Sequence, residues 1–259
     1  MALLKKVIAR DVHGAHFRYY DFVMAAFVVI LVLSNVVGAG KRAAVELPFV
    51  GLWPFGAGIL FFPLSYLLDD VLTEVYGYAR ARRVIWAGFA ALVFLVLMEW
   101  VTVALPPAKD WGGQAAYEYV FGLPPHRVEQ FPYVSVGIGG RIAFASLCAF
   151  WVGDILNSVV LAKMKIWTNG EMLWTRTIGS TIVGEGADSL VFYPLAFYGL
   201  PDWPVQTLLA VMLSQFLLKV GWEVVLTPVT YAVVGFLKRA EGVDVYDEGT
   251  NFTPFSADV

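Results

Sequence analysis

Residues 67–83 read LLDDVLTEVYGYARARR, directly after the apolar run VGLWPFGAGILFFPLSY at 50–66. Asp69, Asp70 and Glu74 therefore enter before the lipid-compatible stretch has ended. A charge at the bilayer centre costs about 2.5–3.5 kcal/mol on insertion scales. No stability argument asks for three of them. The stretch reads as a membrane helix with a polar interior face, and the rest of the sequence has to supply what that face meets.

The composition fits a membrane frame. The chain has 259 residues, 59% apolar and 15% charged, against about 25% charged in soluble domains. That leaves no room for a sizeable soluble domain. The single cysteine, Cys148, excludes an internal disulfide. The start, MALLKKVIARDVHGAHFRYY, lacks a short apolar core with a small-residue cleavage site, so no cleaved signal peptide is expected.

Spanning the bilayer takes roughly 20 apolar residues as helix. Six segments qualify, at 19–39, 52–76, 84–105, 139–162, 174–198 and 204–237. No alternating ten-residue strands suggest a β-barrel. The expected fold is an all-α integral membrane protein, a single six-transmembrane-helix bundle over 1–259. The last segment exceeds a simple span and must tilt, protrude or bend at Pro228; Pro63 and Pro194 mark other candidate kinks. Lys5, Lys6, Arg10, Arg18, Arg80, Arg82, Arg83, Lys163, Lys165, Arg176, Lys238 and Arg239 fall on one side. Lys41, Arg42, Lys109 and Arg127 fall on the other. That bias of 12 to 4 puts both termini in the cytoplasm. The loop at 106–138 is then an external cap, and the acidic tail at 240–259 is cytoplasmic and docks only in part. DVLTEV (70–75) and DILNSV (154–159) share a faint pattern, too short to prove duplicated halves.

Residues three and four apart share a helix face. Tyr66, Asp70 and Glu74 form one stripe, and Trp151, Asp154, Asn157 and Ser158 another. Thr181, Glu185, Asp188 and Phe192 form a third, and Gln215, Lys219, Trp222 and Glu223 a fourth. Acids, amides and aromatics in this mixture suit a flat, hydrogen-bonding heterocycle. Structural alternatives stand beside this. Lys219 and Glu223 can neutralise each other at i,i+4, Arg141 can pair with a facing acid, and Glu74 can be an interfacial partner of the arginines at 80–83. Asp69 can face headgroups or a neighbouring helix. Glu99, near the external end, is expected outside the pocket.

There is no GxxxxGK[ST], HExxH, CxxC or GxSxG motif. His13, His16 and His126 lie outside the spans. No metal, cofactor or catalytic triad is expected. VVGAG and VGIGG read as close helix packing.

Several stretches together carry a family resemblance. They are LSNVVGAGK, DDVLTEVYGYARARRVIWAGF, LAKMKIWTNGEMLWTRTIGSTIVGEGADSLVFY, KVGWEVVLTPVTYAVVGFLKRAEGVDVYD and TNFTPF. From about residue 20 to 256 the chain resembles the queuosine precursor transporter family, formerly listed as vitamin uptake transporters of unknown function. The resemblance implies bacterial inner-membrane import of 7-cyano- or 7-aminomethyl-7-deazaguanine for tRNA queuosine salvage. It carries Asn35, Asp70, Glu74, Arg141, Glu185, Asp188, Lys219 and Glu223 as matching positions; Asp154 and Asn157 fit more loosely. A carboxylate can accept the N1–H and 2-amino group of such a ligand in one bidentate contact. The expected partners are that small molecule and membrane lipid, with no nucleic acid; association between copies of the chain stays open. A substrate-capture subunit needing an energising complex, or a membrane-embedded enzyme, are the alternatives.

Overall fold

A computed structural model describes residues 5–9, 15–38, 42–48, 51–56, 60–121, 126–127, 135–136, 139–200 and 203–256. In chain order the elements are β1 (Lys5–Ile8), α1 (Tyr20–Gly38), β2 (Arg42–Leu47), β3 (Gly51–Gly56), α2 (Phe62–Tyr76) and α3 (Tyr78–Ala104). Then follow α4 (Gln114–Phe121), β4 (His126–Arg127), β5 (Ser135–Val136), α5 (Gly139–Trp167), α6 (Leu173–Phe197), α7 (Val205–Glu241) and β6 (Val243–Tyr246). The strands pair only two by two: β1 parallel to β6, β2 antiparallel to β3, and β4 antiparallel to β5. The helices Tyr78–Ala104, Arg141–Trp167 and Val205–Glu241 are long and apolar enough to cross a membrane, and α1 holds a shorter apolar stretch. The chain is a mostly helical, multi-pass membrane protein.

The axis of the bundle is α2, and it corrects the expected second span. Helix covers only Phe62–Tyr76 of the segment at 52–76. Fifteen residues rise about 22 Å, short of a bilayer core. Residues 52–56 instead lie in a β2–β3 hairpin, in register from Arg42 opposite Gly56 to Leu47 opposite Gly51. Gly51, Pro54 and Gly56 break the helical period there, while Trp53 and Phe55 favour strand. Pro63 is no kink; it falls in the first turn of α2, where a missing N–H costs nothing.

From Asp69 to Tyr76 every residue of α2 is buried. Helices α1, α3, α5 and α7 all pack on it. Val71, Leu72, Val75 and Tyr76 join Phe27 and Leu31 of α1 and Val84 and Ile85 of α3 in the main apolar cluster. A helix buried on all sides exposes no polar stripe to water. Its acids must therefore find partners on neighbouring helices.

The second correction concerns residues 77–83, expected as a loop of ordinary surface arginines. Gly77 alone separates α2 from α3, at φ +85°. Any side chain there would be strained and would approach Val245 and Asp247 of the tail at 3.0 and 3.3 Å. Arg80 and Arg82 are buried within α3. Glycine offers no cap, so the tail supplies one. Both Asp247 carboxylate oxygens accept from the Tyr78 N–H at 3.1 Å, an anion at a helix N-terminus.

The tail docks much further than expected. Strand β6 zips onto β1 from Lys5 opposite Val243 to Ile8 opposite Tyr246. Arg82 donates to the carbonyls of Asn251 and Thr253 at 3.0 and 2.7 Å. Trp86 donates its indole N–H to the Pro254 carbonyl at 2.9 Å. Phe255 packs on Trp86 and Trp151. Helix α7 runs on through Pro228 to Glu241, and Gly242 ends it in the left-handed conformation.

Asp244 ties the tail to the bundle. Burial alone would raise its carboxyl; Lys165 and Lys238 outweigh that and hold it below the usual carboxylate range. A depressed folded value means stabilisation present above the unfolded value of about 3.9 and lost as pH falls below it. The Tm of the parent should exceed that of Asp244→Asn at neutral pH, and the gap should shrink progressively as pH falls below about 4. Thermal unfolding in detergent across that range is the check. A gap independent of pH would contradict the ionic role.

Candidate functional site

Two polar clusters lie along α2, one helical turn apart, and they differ in how their charges are balanced. The first is centred on Glu74, which is fully buried. Arg176 of α6 grips both its carboxylate oxygens at 2.9 Å. Lys238 of α7 reaches Oε1 at 2.5 Å and Lys165 of α5 lies 3.4 Å away. The two lysines also hold Asp244 of the tail at 2.7 and 2.6 Å. Lys165 further donates to the carbonyls of Glu74 and Val245. This knot is saturated. Glu74 shares the stripe of Asp70, but the next turn of helix carries it out of the cleft, so it is not offered to a ligand here. Its partners are not the arginines at 80–83 either. Lys165, Arg176 and Lys238, read from sequence as surface charges that set orientation, are structural cations inside the protein.

The second cluster opens between α2, α5 and α6. Tyr66, Gly153, Asp154, Asn157, Thr181, Gly184 and Glu185 line a narrow cleft of about 10 Å3, room for about one water. Gly153 and Gly184 let α5 and α6 touch: a Cβ at Gly184 would lie 2.8 Å from Asn157 Cβ and 2.9 Å from the Gly153 carbonyl. Lys219 reaches in from α7, its Nζ 2.6 Å from Glu185 Oε2 and 2.7 Å from Asp188 Oδ2. Only the Asp188 contact has hydrogen-bond geometry; Glu185 is an ion pair. The same ammonium lies 5.4 Å from the centre of the Tyr66 ring, within cation–π range. Lys219 thus bridges two helices and does not neutralise Glu223 one turn along its own.

Behind the cleft, Asn157 donates Nδ2 to Asp70 Oδ1 at 2.7 Å and to Asp69 Oδ2 at 3.1 Å. Ser158 adds a hydrogen bond to Asp69 and receives one from Thr73 at 3.0 Å. The faintly similar DVLTEV and DILNSV stretches are the two helices that meet here. Among the described residues no cation pairs with Asp69, Asp70, Asp154 or Glu223. Around the cleft stand six carboxylates, those four with Glu185 and Asp188, against the single ammonium of Lys219. The two bridged oxygens lie within about 6 Å of each other, and like charges at that range repel by about 3 kcal/mol at an effective dielectric near 20. Asp70 Oδ2, Asn157 Oδ1, Glu223 Oε1 and Ser189 Oγ are buried without a hydrogen-bond partner among the described residues. Each such atom costs about 1–3 kcal/mol unless something fills its valence.

The remaining expectations divide. Arg141 does not pair with an acid and is not in the cleft. It is exposed and donates to the Leu195 and Tyr198 carbonyls at 2.6 Å, closing the C-terminal end of α6. Asn35 is half-buried and bonds the Leu31 carbonyl one turn back in α1. Gln215 and Trp222 are half-buried on α7 and do not line the cleft. Asp154, Asn157, Glu185 and Tyr66 do line it, with Asp70, Asp188, Lys219 and Glu223 around them. Thr181, grouped by spacing with Glu185 and Asp188, also lines the cleft; missing from the sequence-based set are Asp69 and the Gly153–Gly184 contact. Asp69 faces α5, one of its two expected alternatives. VVGAG (36–40) and VGIGG (136–140), expected to make close helix contacts, fall partly outside the described residues.

Breaking a buried ionic network by removing one partner costs about 3–5 kcal/mol. Glu74→Gln leaves Arg176 without a carboxylate and leaves Lys165 and Lys238 with Asp244 alone, and should sharply lower both Tm and folded yield. Asp70→Asn strands no cation and should leave Tm close to the parent. Thermal unfolding of both variants in the same detergent is the measurement; equal losses would contradict the division into a structural and a functional cluster.

No solved structure matches this chain. Among curated proteins, it is 30% identical over 185 residues to "Probable queuosine precursor transporter" of Bacillus subtilis (strain 168), covering 71% of this chain and 73% of the relative. It is 29% identical over 145 residues to "Queuosine precursor transporter" of Escherichia coli (strain K12), 56% of each chain. It is 27% identical over 185 residues to "Probable queuosine precursor transporter" of Haemophilus influenzae, 70% of this chain and 64% of the relative. The chain therefore spans less than two thirds of the last two. A family model described as "Putative vitamin uptake transporter" matches residues 56–233. That range holds every side chain of the cleft, and the chain belongs to this family.

Proposed function

We propose that this chain imports queuosine precursors, 7-cyano- or 7-aminomethyl-7-deazaguanine, across a bacterial inner membrane. The transporter names of its three relatives favour import over a capture subunit or an enzyme. The observation that carries the chemistry is the surplus of buried acceptors: Asp70 Oδ2, Asn157 Oδ1 and Glu223 Oε1 have no donors among the described residues. A guanine-like edge presents adjacent N–H donors, and a carboxylate takes two of them at once. Asp70, Asp154, Asn157, Glu185, Asp188 and Glu223 supply the acceptors, Lys219 a donor for the ring carbonyl, and Tyr66 an aromatic face. At about 10 Å3 the cleft is closed to anything larger than a water, far below the usual ligand pocket of about 300–1,000 Å3. Loading therefore requires α5 and α6 to part from α2.

The membrane arrangement that accompanies this reading has six crossings in a single transmembrane unit: α1, the β2–β3 hairpin with α2, α3, α5, α6 and α7. Both ends lie on the cytoplasmic face. The basic bias supports this, seven residues to four even when the buried Arg80, Arg82, Lys165, Arg176 and Lys238 are set aside, as does the β1–β6 pairing that brings residues 5–8 beside 243–246.

The test is salvage. A bacterium unable to make 7-deazaguanines and lacking its own importer, fed either precursor, should regain queuosine in its tRNA only when this chain is expressed. Nucleoside analysis of the tRNA reads the result. No rescue by either precursor, with the protein present in the membrane, would overturn the reading.

A further inference from the structure

Among the described residues, the buried carboxylates without a cation are Asp69, Asp70, Asp154 and Glu223 around the cleft and Asp247 of the tail, which is held instead by the Tyr78 N–H and the Thr250 hydroxyl. Glu74 has Arg176, Lys238 and Lys165. Glu185 and Asp188 share Lys219. Asp69 and Asp70, both 1% exposed, share the amide nitrogen of Asn157, and Asp69 also accepts from the neutral Ser158 hydroxyl. We propose that this Asp69–Asn157–Asp70 bridge is a proton-binding site, and that the import proposed above is coupled to a proton carried there.

The surroundings leave few other neutralisers. On α2 itself, Glu74 is saturated and Tyr66 lies at the cleft. Helix α5 presents Asp154, α6 presents Glu185 and Asp188, and α7 presents Glu223 beside the occupied Lys219. Helix α3 brings Tyr78, whose N–H is held by Asp247, and α1 brings Tyr20 against Tyr76. Among the described residues, no group of three or more His, Cys, Asp or Glu is arranged to hold a metal ion. A proton needs no coordination shell and no added volume, so it neutralises a carboxylate in packing as tight as this.

Asn157 gives the means of coupling. Its Nδ2 faces the two carboxylates, and it lines the cleft with an Oδ1 that has no partner among the described residues. A ligand donor settles on Oδ1 and fixes the amide in that sense. A ligand acceptor instead draws Nδ2 away and turns Oδ1 toward Asp69 and Asp70. That second arrangement is tolerated only when a carboxyl carries a proton to donate back. The protonation state of the bridge and the way a ligand is held are then linked, and such linkage is reciprocal. Ionisable groups inside membranes commonly serve as proton relays. The bridge belongs to that class by its burial and its lack of a counter-ion.

The experiment uses the full chain in liposomes with a pH-sensitive dye in the lumen and labelled 7-cyano-7-deazaguanine, which carries no charge of its own. Substrate added outside should acidify the lumen in step with uptake. One pH unit, acid outside, should drive accumulation up to about tenfold for one proton per substrate. Asp69→Asn should slow transport, and what remains should carry no proton. Uptake without lumenal acidification, or accumulation that follows a sodium gradient, would overturn the proposal; so would an unchanged proton-to-substrate ratio in Asp69→Asn. If that variant does not fold, the parent's dye signal alone decides. Exchange of labelled for unlabelled substrate without any gradient tests the import reading separately. No exchange in the parent removes both claims, whereas exchange without proton movement removes this one alone.

Discussion

The structure depends on the ionic knot around Glu74. Four elements meet at one buried carboxylate: α2 supplies it, and α5, α6 and α7 each send a cation. Asp244 then ties the tail to two of those cations. Buried ion pairs often add little net stability relative to apolar replacements. What they do impose is geometry, because each charge tolerates only one arrangement of partners. The knot therefore sets where three long helices stand relative to α2, and it does so one helical turn from the cleft.

The rest of the site follows from that anchoring. With one end of α2 fixed against three helices, its preceding turn presents Asp69 and Asp70 to α5. Gly153 and Gly184 allow α5 and α6 to close to backbone contact. Four carboxylates are left without a cation, in a region where a ligand or a proton is the cheapest complement. The two clusters are built from similar residues and differ only in counter-ions. That contrast, more than burial alone, separates the scaffold from the site. Closure by the tail lies on the scaffold side, since Phe255 reaches Trp151, only a few residues before Asp154 on α5.

Much of this was legible in the sequence, and the failures have physical causes. Apolar length located α5, α6 and α7 to within a few residues, because each is a long, predominantly apolar run bounded by polar or turn-forming residues. It failed at 52–56, where glycine and proline turned an equally apolar run into a hairpin. Helical spacing correctly grouped Asp154 with Asn157 and Glu185 with Asp188. It also grouped Asp70 with Glu74, because a stripe records direction around the axis and not depth along it. Arg141 and Lys219 show the limit of charge pairing by sequence. One bonds backbone carbonyls at a helix end, and the other ignores the acid on its own helix for two on the next. The tail's acidic composition hinted at only half of its docking: Asp244 and Asp247 use their charge, whereas the stretch at 251–254 docks through backbone carbonyls that accept from Arg82 and Trp86.

The central claim is that the cleft selects its ligand through surplus buried acceptors. The most direct measurement is equilibrium binding of 7-aminomethyl-7-deazaguanine to the purified chain, compared with the same compound lacking its 2-amino group. A hydrogen bond to a charged acceptor contributes about 1.5–3 kcal/mol, so loss of that donor should weaken binding by about 10- to 100-fold. Equal affinity for the two compounds would contradict the account.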